Sequence, residues 1–288
     1  MKKTDRNALI ALPFVIVIGL GVALAGSQGG ASVFGVPLFA FSVALAFLIQ
    51  WLAFIPAYLL QTEGFFDLTG SITYISVIII SVLFSPVIDG RSILILALVV
   101  IWAARLGTFL FRRIHKAGKD ARFDEIKPSF LRFLMTWTLQ GLWVSFTLAA
   151  ALAAVTTTTR KKLGLFALVG FLVWVFGFVF EVVADTQKSR FRANAENKGK
   201  FIHTGLWTWS RHPNYFGEIV LWIGIAIIAL PILRGWQWVT LISPVFVTLL
   251  LTRVSGIPML EKRSDEKWGG QDDYEAYKKR TPLLIPRP

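Results

Sequence analysis

Residues 163–184 read LGLFALVGFLVWVFGFVFEVVA, and residues 185–218 continue DTQKSRFRANAENKGKFIHTGLWTWSRHPNYFGE. The first stretch is 22 residues long and holds one charged side chain, Glu181. The second is dense in charge and in hydrogen-bonding groups. A helix needs about 20 apolar residues to cross the hydrocarbon of a bilayer. Residues 163–184 therefore read as a transmembrane span that empties into a polar segment at one membrane face.

The pattern recurs along the chain. Apolar runs fall at roughly 8–26, 33–60, 67–86, 91–111, 129–154, 163–184, 214–232 and 236–254. The 288 residues are 55% hydrophobic and 16% charged, with a mean hydropathy of +0.62. A soluble chain carries about 25% charged residues, so the bilayer is the natural solvent. The runs are continuous rather than alternating, which selects helices over a membrane β-barrel. The last two runs also read as one broken unit around Pro231, Arg234 and Gly235. The expectation is an all-α polytopic membrane protein, a bundle of about seven or eight transmembrane helices forming a single membrane domain over 1–288. The run near the N-terminus, with Ala23-Leu24-Ala25 at its end, has features of a signal peptide. Its length and the spans that follow favour a retained first helix.

The net charge is +13, from 30 Lys+Arg against 17 Asp+Glu. With the N-terminus inside, the inside segments hold Lys2, Lys3 and Arg6; Arg112, Arg113, Lys116, Lys119, Arg122 and Lys127; Lys188, Arg190, Arg192, Lys198, Lys200 and Arg211; and most of the C-terminal tail. The outside segments hold Arg91, Arg160, Lys161, Lys162 and Arg234. This asymmetry puts both the N-terminus and the C-terminus in the cytosol, with Arg160-Lys161-Lys162 as the one violation. Basic residues between apolar spans set orientation and meet anionic lipid, so no nucleic acid partner is expected. The setting reads as a bacterial inner membrane with the polar site facing the cytosol. Cysteine is absent, and His115, His203 and His212 lie on separate segments. No metal site is expected.

The chemistry concentrates in 181–218. Arg and Lys meet phosphates through charge-assisted hydrogen bonds. Asp accepts from ribose hydroxyls, Asn pairs with a carboxamide, and Trp207, Trp209 and Tyr215 can stack on flat rings. These groups suit a phosphorylated nucleotide. The plain alternative is a solvated basic loop against lipid headgroups, with the tryptophans as an interfacial belt. No GxGxxG loop follows a strand, so a dinucleotide-binding domain of the Rossmann type is not expected.

The segment GLWTWSRHPNYFGE, preceded by ADTQKSRFRANAENKGKFI, resembles the C-terminal domain of the steroid 5α-reductase-like family, in its bacterial branch of unknown function. IWAARLGTFLFRRIHKAGKDARF at 101–123, Gln140, and the tail SGIPMLEKRSDEKWGGQDDYEAYKKRTPLLIP extend the resemblance over roughly residues 60–286. Residues 1–60 lie outside its secure part; 61–288 form the reductase-like region with its cytosolic cofactor loops. The resemblance implies NADPH as cofactor and hydride transfer to an activated C=C bond of a lipid-like enone, a hydrophobic small molecule or lipid. It implies cofactor-binding roles for Arg105, Asp185, Arg192, Asn214 and Glu218. Lys188, Asn197, Arg211, His212 and Tyr215 belong to the same motif. Tyr274 and Glu261 match its tail.

At the catalytic end the chain departs from the steroid enzymes, which use an adjacent Gln-Glu pair and a Tyr on the next helix. Here the nearest equivalent is Gln61-Thr62-Glu63, and Trp102 stands where the Tyr is expected. Glu63, Gln61 and Tyr74 are the catalytic candidates, with Glu63 expected to be protonated by burial and able to donate to a carbonyl oxygen. A solvated interfacial role for Glu63, and helix N-capping for Asp67, are the plain alternatives. Arg105 sits in an apolar run, where a buried arginine needs an acid, phosphate or carbonyl partner. Lys119-Asp120-Ala121-Arg122-Phe123 reads as a cap over the pocket or a solvated turn.

A rival resemblance is to the isoprenylcysteine and phospholipid methyltransferases, which share an RHPxYxG element and a Tyr-x-x-Tyr tail. Arg211 to Gly217 and Tyr274 to Tyr277 fit that pattern, and the cofactor would be S-adenosylmethionine. The cations between Asp185 and Asn197 favour the pyrophosphate-bearing dinucleotide. A transporter is the third reading. The polar groups cluster at one face rather than at mid-depth, which speaks against it. Substrate identity and oligomeric state stay open.

Overall fold

The computed structural model describes residues 2–120 and 123–288, without the side chains of Lys116 and Ala117. The side chain of the expected inside cation Lys116, the cation Arg122 and the middle of the 119–123 segment lie outside what is described. Among the described residues, eight helical segments are long and apolar enough to cross a membrane: Lys3–Ser27, Leu38–Leu59, Phe66–Leu83, Gly90–His115, Phe130–Thr156, Leu165–Ala193, Pro213–Ile232 and Gly235–Trp268. The protein is an all-α polytopic membrane protein. The eighth segment is not one regular helix. It runs as a 3-10 stretch (Gly235–Leu241), an α-helix (Ile242–Leu249), a π-helical turn (Leu250–Val254) and a second α-helix (Ile257–Trp268).

The chain divides into two compact units, Met1–Ala167 with Ile228–Ser243, and Leu168–Ile227 with Pro244–Pro288. The first contains α1 (Lys3–Ser27), a two-stranded hairpin (Ser32–Val33 and Val36–Pro37), α2 (Leu38–Leu59), α3 (Phe66–Leu83), α4 (Gly90–Ala117) and α5 (Phe130–Thr156). Helix α5 is its axis and packs against α1, α2, α3 and α4. Every residue from Thr147 to Thr156 is buried, so this end of the helix is enclosed on all sides. Its run of alanines brings the neighbouring backbones close, as small residues do in membranes.

Side-chain hydrogen bonds stitch these helices together. Ser42 pairs with Ser81 at 2.7 Å, and Gln50 Nε2 donates to Thr73 Oγ1 at 2.7 Å. Trp51 Nε1 donates to Thr138 Oγ1 at 3.1 Å. Helix ends carry caps. Asp89 accepts from the Ser92 N–H at the start of α4, and Ser129 from the Arg132 N–H at the start of α5. Helix α2 closes with a Schellman pair: the Thr62 N–H reaches the Ala57 carbonyl and the Gln61 N–H the Tyr58 carbonyl. Gln61 takes φ 50° to do so, a left-handed conformation in which glycine is the usual occupant.

The second unit holds most of α6 (Leu165–Ala193) and α7 (Pro213–Ala229), then α9 (Ile257–Trp268) and α10 (Asp272–Arg280), with α8 (Ile242–Leu249) leading into it. Helix α6 extends nine residues past the span expected to end at 184. Gln187, Lys188, Arg190 and Arg192 are straight-chain helix formers, and no glycine or proline interrupts before Gly199.

Helices α6 and α7 meet backbone to backbone. A Cβ at Gly177 would stand 2.6 Å from the Gly217 carbonyl, one at Gly217 2.6 Å from the Gly177 carbonyl, and one at Gly224 2.6 Å from the Gly170 carbonyl. The seven-residue spacing puts Gly170 with Gly177, and Gly217 with Gly224, on one face of each helix. Gly217→Ala is therefore expected to lower stability by about 1–3 kcal/mol through overpacking. Gly21→Ala, where nothing lies within 4 Å, is expected to be neutral or stabilising by up to about 1 kcal/mol. Thermal unfolding of both variants in detergent checks the contrast.

Candidate cofactor site

The second unit contains a cavity of about 300 Å³. Helix α6 supplies Lys188 and Arg192, the connecting segment Lys200, Phe201 and Trp207, the approach to α7 Arg211 and His212, and the tail Glu261, Arg263, Lys267, Trp268, Tyr274 and Tyr277. Asp185, Lys188 and Arg192 follow one another at i, i+3 and i+7, which puts them on one face of α6.

The segment between α6 and α7 is fixed by bonds that its own sequence supplies. Gln187 Oε1 accepts from the Leu206 N–H at 2.9 Å, and Trp207 Nε1 donates to the Ala184 carbonyl at 3.1 Å. Asn197 Nδ2 donates to the Phe191 carbonyl at 3.0 Å, closing the turn after α6. Lys188 Nζ stands 4.2 Å over the Trp207 ring. The tail returns over this segment. Tyr277 OH donates to the Trp207 carbonyl at 2.8 Å, Ser210 Oγ to the Leu284 carbonyl at 2.8 Å, and the Arg211 N–H to the Pro282 carbonyl at 2.9 Å. Phe201 packs against the rings of Tyr274 and Tyr277 with centroids at 5.2 and 5.4 Å. Trp268 Nε1 donates to the Gly199 carbonyl at 2.5 Å.

Glu261 is the electrostatic pivot. One carboxylate oxygen accepts from Arg211, the other from His212 Nε2 at 2.8 Å. A neutral imidazole that donates from Nε2 keeps its acceptor lone pair on Nδ1. That atom is buried and has no partner among the described residues, and the same holds for Arg211 Nε and Asn214 Oδ1. Burial pushes the His212 imidazole below its ordinary pKa; the Glu261 carboxylate opposes this without overcoming it. His212 is therefore a neutral hydrogen-bonding group at pH 7. Burial raises the Tyr274 and Tyr277 phenols, which remain protonated donors.

Of the expected cofactor residues, Lys188, Arg192, Arg211 and His212 line this cavity. Asp185 is buried on α6, and Asn214 and Glu218 stand one turn apart on α7. Tyr215 stacks on His212 with ring centroids 5.7 Å apart. Asn197 serves the turn rather than the cavity wall. Arg105 belongs to the first unit, half-buried on α4 with its guanidinium 5.2 Å from the Phe109 ring centroid. Lys200, Phe201, Arg263, Lys267, Trp268 and Tyr277, to which the sequence reading gave no cofactor role, are also wall residues. The signal was there on α9: Glu261, Ser264 and Trp268 fall at i, i+3 and i+7.

The catalytic candidates all lie in the first unit. Gln61 is exposed, and its amide donates to the Tyr58 carbonyl at 2.7 Å. Glu63 is buried, accepting from Lys127 Nζ and, at 2.8 Å, from the Asp120 N–H. Burial pushes its carboxyl up, but Lys127 and the Asp120 N–H together outweigh it and hold the group below its ordinary value. Glu63 is thus a carboxylate, not the neutral acid that burial alone would make. Tyr74 packs edge-on against Trp102 with centroids 5.1 Å apart. Asp67 stands 3.6 Å from Arg113 rather than serving as an N-cap, since α3 begins at Phe66 behind Phe65.

Helical spans that end in a polar cavity of this kind define an integral membrane protein with a candidate binding site, and its sequence places it in a family. The chain belongs to the DUF1295 family, described as a protein of unknown function, whose pattern matches residues 53–281. It is 25% identical over 231 residues to an uncharacterized protein of Schizosaccharomyces pombe, covering 69% of this chain and 65% of that one. It is 29% identical over 120 residues to 3-oxo-5-alpha-steroid 4-dehydrogenase 1 of Rattus norvegicus, covering 41% of this chain and 40% of the relative. The Mus musculus protein of the same name matches at 29% over 120 residues, 41% of each chain. The matched region thus spans under two thirds of each relative's length. No solved structure matches the chain.

The neutral state of His212 sets a pH dependence. Below about pH 6.5 the unfolded chain takes up a proton at this residue. The folded chain, with its pKa lowered, does so only at lower pH, so stability falls as pH drops through that range. His212→Gln removes this loss. The melting temperature of the variant is expected to gain on that of the wild type between pH 7.5 and pH 5.5. A constant difference would mean that folding leaves the His212 pKa unshifted, and a gain by the wild type would mean that the fold holds His212 charged.

Proposed function

We propose that the protein is a membrane oxidoreductase that uses NADPH to reduce a C=C bond of a lipid-like enone. The observation that carries this reading is the second unit's cavity. Cations on three chain segments, aromatic rings and unpartnered buried polar atoms meet there. The modest similarity to proteins named 3-oxo-5-alpha-steroid 4-dehydrogenase 1 supports the same chemistry.

The residues fit a phosphorylated nucleotide. Lys188, Arg192 and Arg211, with Arg263 and Lys267 opposite on the tail, offer charge-assisted donors to phosphates. Trp207, Trp268 and the two tyrosines offer faces for flat rings. His212 Nδ1 can accept and Asn214 Oδ1 can accept, which suits ribose hydroxyls and a carboxamide N–H. Asp185, Asn197, Tyr215 and Glu218 complete the proposed set by orienting these groups, and Arg105 stays in it on the sequence resemblance. When bound, NADPH supplies the hydride. The chain's own task is then to polarise the enone and deliver a proton. Of Gln61, Glu63 and Tyr74, the phenol of Tyr74 is the proposed donor. The Gln61 amide is turned to its own helix and the Glu63 carboxylate is held by Lys127. Removing water around the reacting carbons strengthens such a contact.

The proposal treats residues 1–288 as one membrane domain with both termini and the site in the cytosol, in a bacterial inner membrane. The substrate is hydrophobic and reaches the site from the lipid. A ligand that binds only the folded state raises apparent stability by mass action. NADPH is expected to raise the melting temperature of the detergent-purified protein. Arg192→Ala is expected to weaken the apparent affinity about tenfold or more, the loss of one charge-assisted bond. A shift with S-adenosylmethionine and none with NADPH would overturn the reductase and favour methyl transfer.

A further inference from the structure

The first unit holds a second cavity, of about 480 Å³, lined by Asp89, Arg91, Arg160, Lys161, Lys162 and Leu163 together with Gly90, with much of its accessible surface contributed by carbon atoms. It lies at the N-terminal end of α4 and contains the cluster that violates the charge asymmetry. Arg91 is 2% exposed. Its terminal nitrogens donate to the Lys161 and Lys162 carbonyls at 3.0 and 3.4 Å, and its Nε has no partner among the described residues. Arg160 donates to Ser85 Oγ at 2.8 Å and Ser92 Oγ at 3.3 Å, and lies 3.7 Å from Asp89. The Lys161 and Lys162 side chains are exposed and form no ion pair among the described residues.

The charges do not balance. Asp89 is the one carboxylate on this wall, and it already accepts from the Ser92 N–H and hydroxyl. Four cations therefore share one committed acid. The other Asp89 oxygen lies 3.7 Å from Arg160, so one of the four charges is offset and three remain; Arg91 is held by main-chain carbonyls, which cancel no charge. Arg91 is the buried part of that excess, and a buried charge without a counter-charge is stabilised by an anion. Its flanks are apolar and open: Val87 and Ile88 precede it at 50% and 51% exposure, and Leu163 and Leu165 follow at 51% and 73%. Exposed aliphatic side chains on both sides of a cationic cavity belong at the boundary between headgroups and hydrocarbon.

We infer that this cavity binds a phosphate anion, and that its apolar rim makes an anionic phospholipid headgroup the source. The carbonyl-anchored Arg91 and the Ser-anchored Arg160 form a rigid floor. Lys161 and Lys162 close over the phosphate, while Leu163 meets the start of the acyl chains. The inference stands apart from the cofactor cavity and does not depend on the reductase reading.

The test is thermal unfolding of the full chain in detergent with dihexanoyl phosphatidylglycerol, dihexanoyl phosphatidylcholine or inorganic phosphate. Phosphatidylglycerol is expected to stabilise saturably and more than the other two. In Lys161→Gln/Lys162→Gln the apparent Kd is expected to weaken about thirtyfold, the equivalent of about 1 kcal/mol for each lysine. The control Lys2→Gln/Lys3→Gln is expected to stay within about twofold. Arg91 holds the main-chain carbonyls of 161 and 162, which the variant keeps, and the single variant Lys161→Gln provides a milder form. Equal stabilisation by inorganic phosphate would retain the anion site and overturn the lipid source. Equal stabilisation by phosphatidylcholine, equal weakening in both double variants, or no stabilisation by any of the three would overturn the site.

Discussion

A backbone N–H or C=O that enters hydrocarbon has no water to turn to, and each one left unpaired costs several kcal/mol. The fold follows from that constraint. Apolar runs become helices, and the polar groups that remain in the spans find partners on neighbouring helices. Ser42 with Ser81 and Gln50 with Thr73 are such pairs. Charge is driven to the helix ends, where both cavities lie. Arg91 and Arg160 sit at one end of α4, while the cationic stretch of α6 begins where its apolar stretch finishes.

Within the second unit, a carboxylate on the tail organises the start of α7. Glu261 holds Arg211 and His212 at once, so the positions of two cavity residues depend on a helix that arrives some fifty residues later in the chain. The tail's carbonyls at 282 and 284 fix the backbone and hydroxyl of the same segment. Gly217 adds the third constraint by letting α7 approach α6 closely beside Glu181. The RHPNYFGE segment thus combines three physical tasks: ion pairing, stacking through Tyr215, and backbone contact.

The spans were legible because continuous apolar runs of about 20 residues match the thickness of the hydrocarbon and are rare in chains that fold in water. Their ends were less so. Asp185 to Arg192 read as a polar loop because charge ended the apolar run, yet helix propensity carries α6 onward. Glu63 read as a buried neutral acid, but Lys127 and the Asp120 N–H, distant in sequence, make it a carboxylate. Gln61 read as a catalytic amide, while its left-handed backbone shows it closing a helix. Four cofactor candidates met at one cavity because they share a short motif. Arg263, Lys267 and Trp268 were missed because their closeness to that motif is tertiary. The Arg160-Lys161-Lys162 cluster was visible, but the serines and main-chain carbonyls that anchor Arg160 and Arg91 beside it were not.

Photo-crosslinking with an azido-adenine analogue of NADPH, followed by peptide mapping, tests the central claim most directly. The expected result is labelling of residues 188–212 and 257–277, suppressed by excess NADPH and reduced by Arg192→Ala. Labelling confined to other segments, or unaffected by NADPH, would contradict a nucleotide site in this cavity.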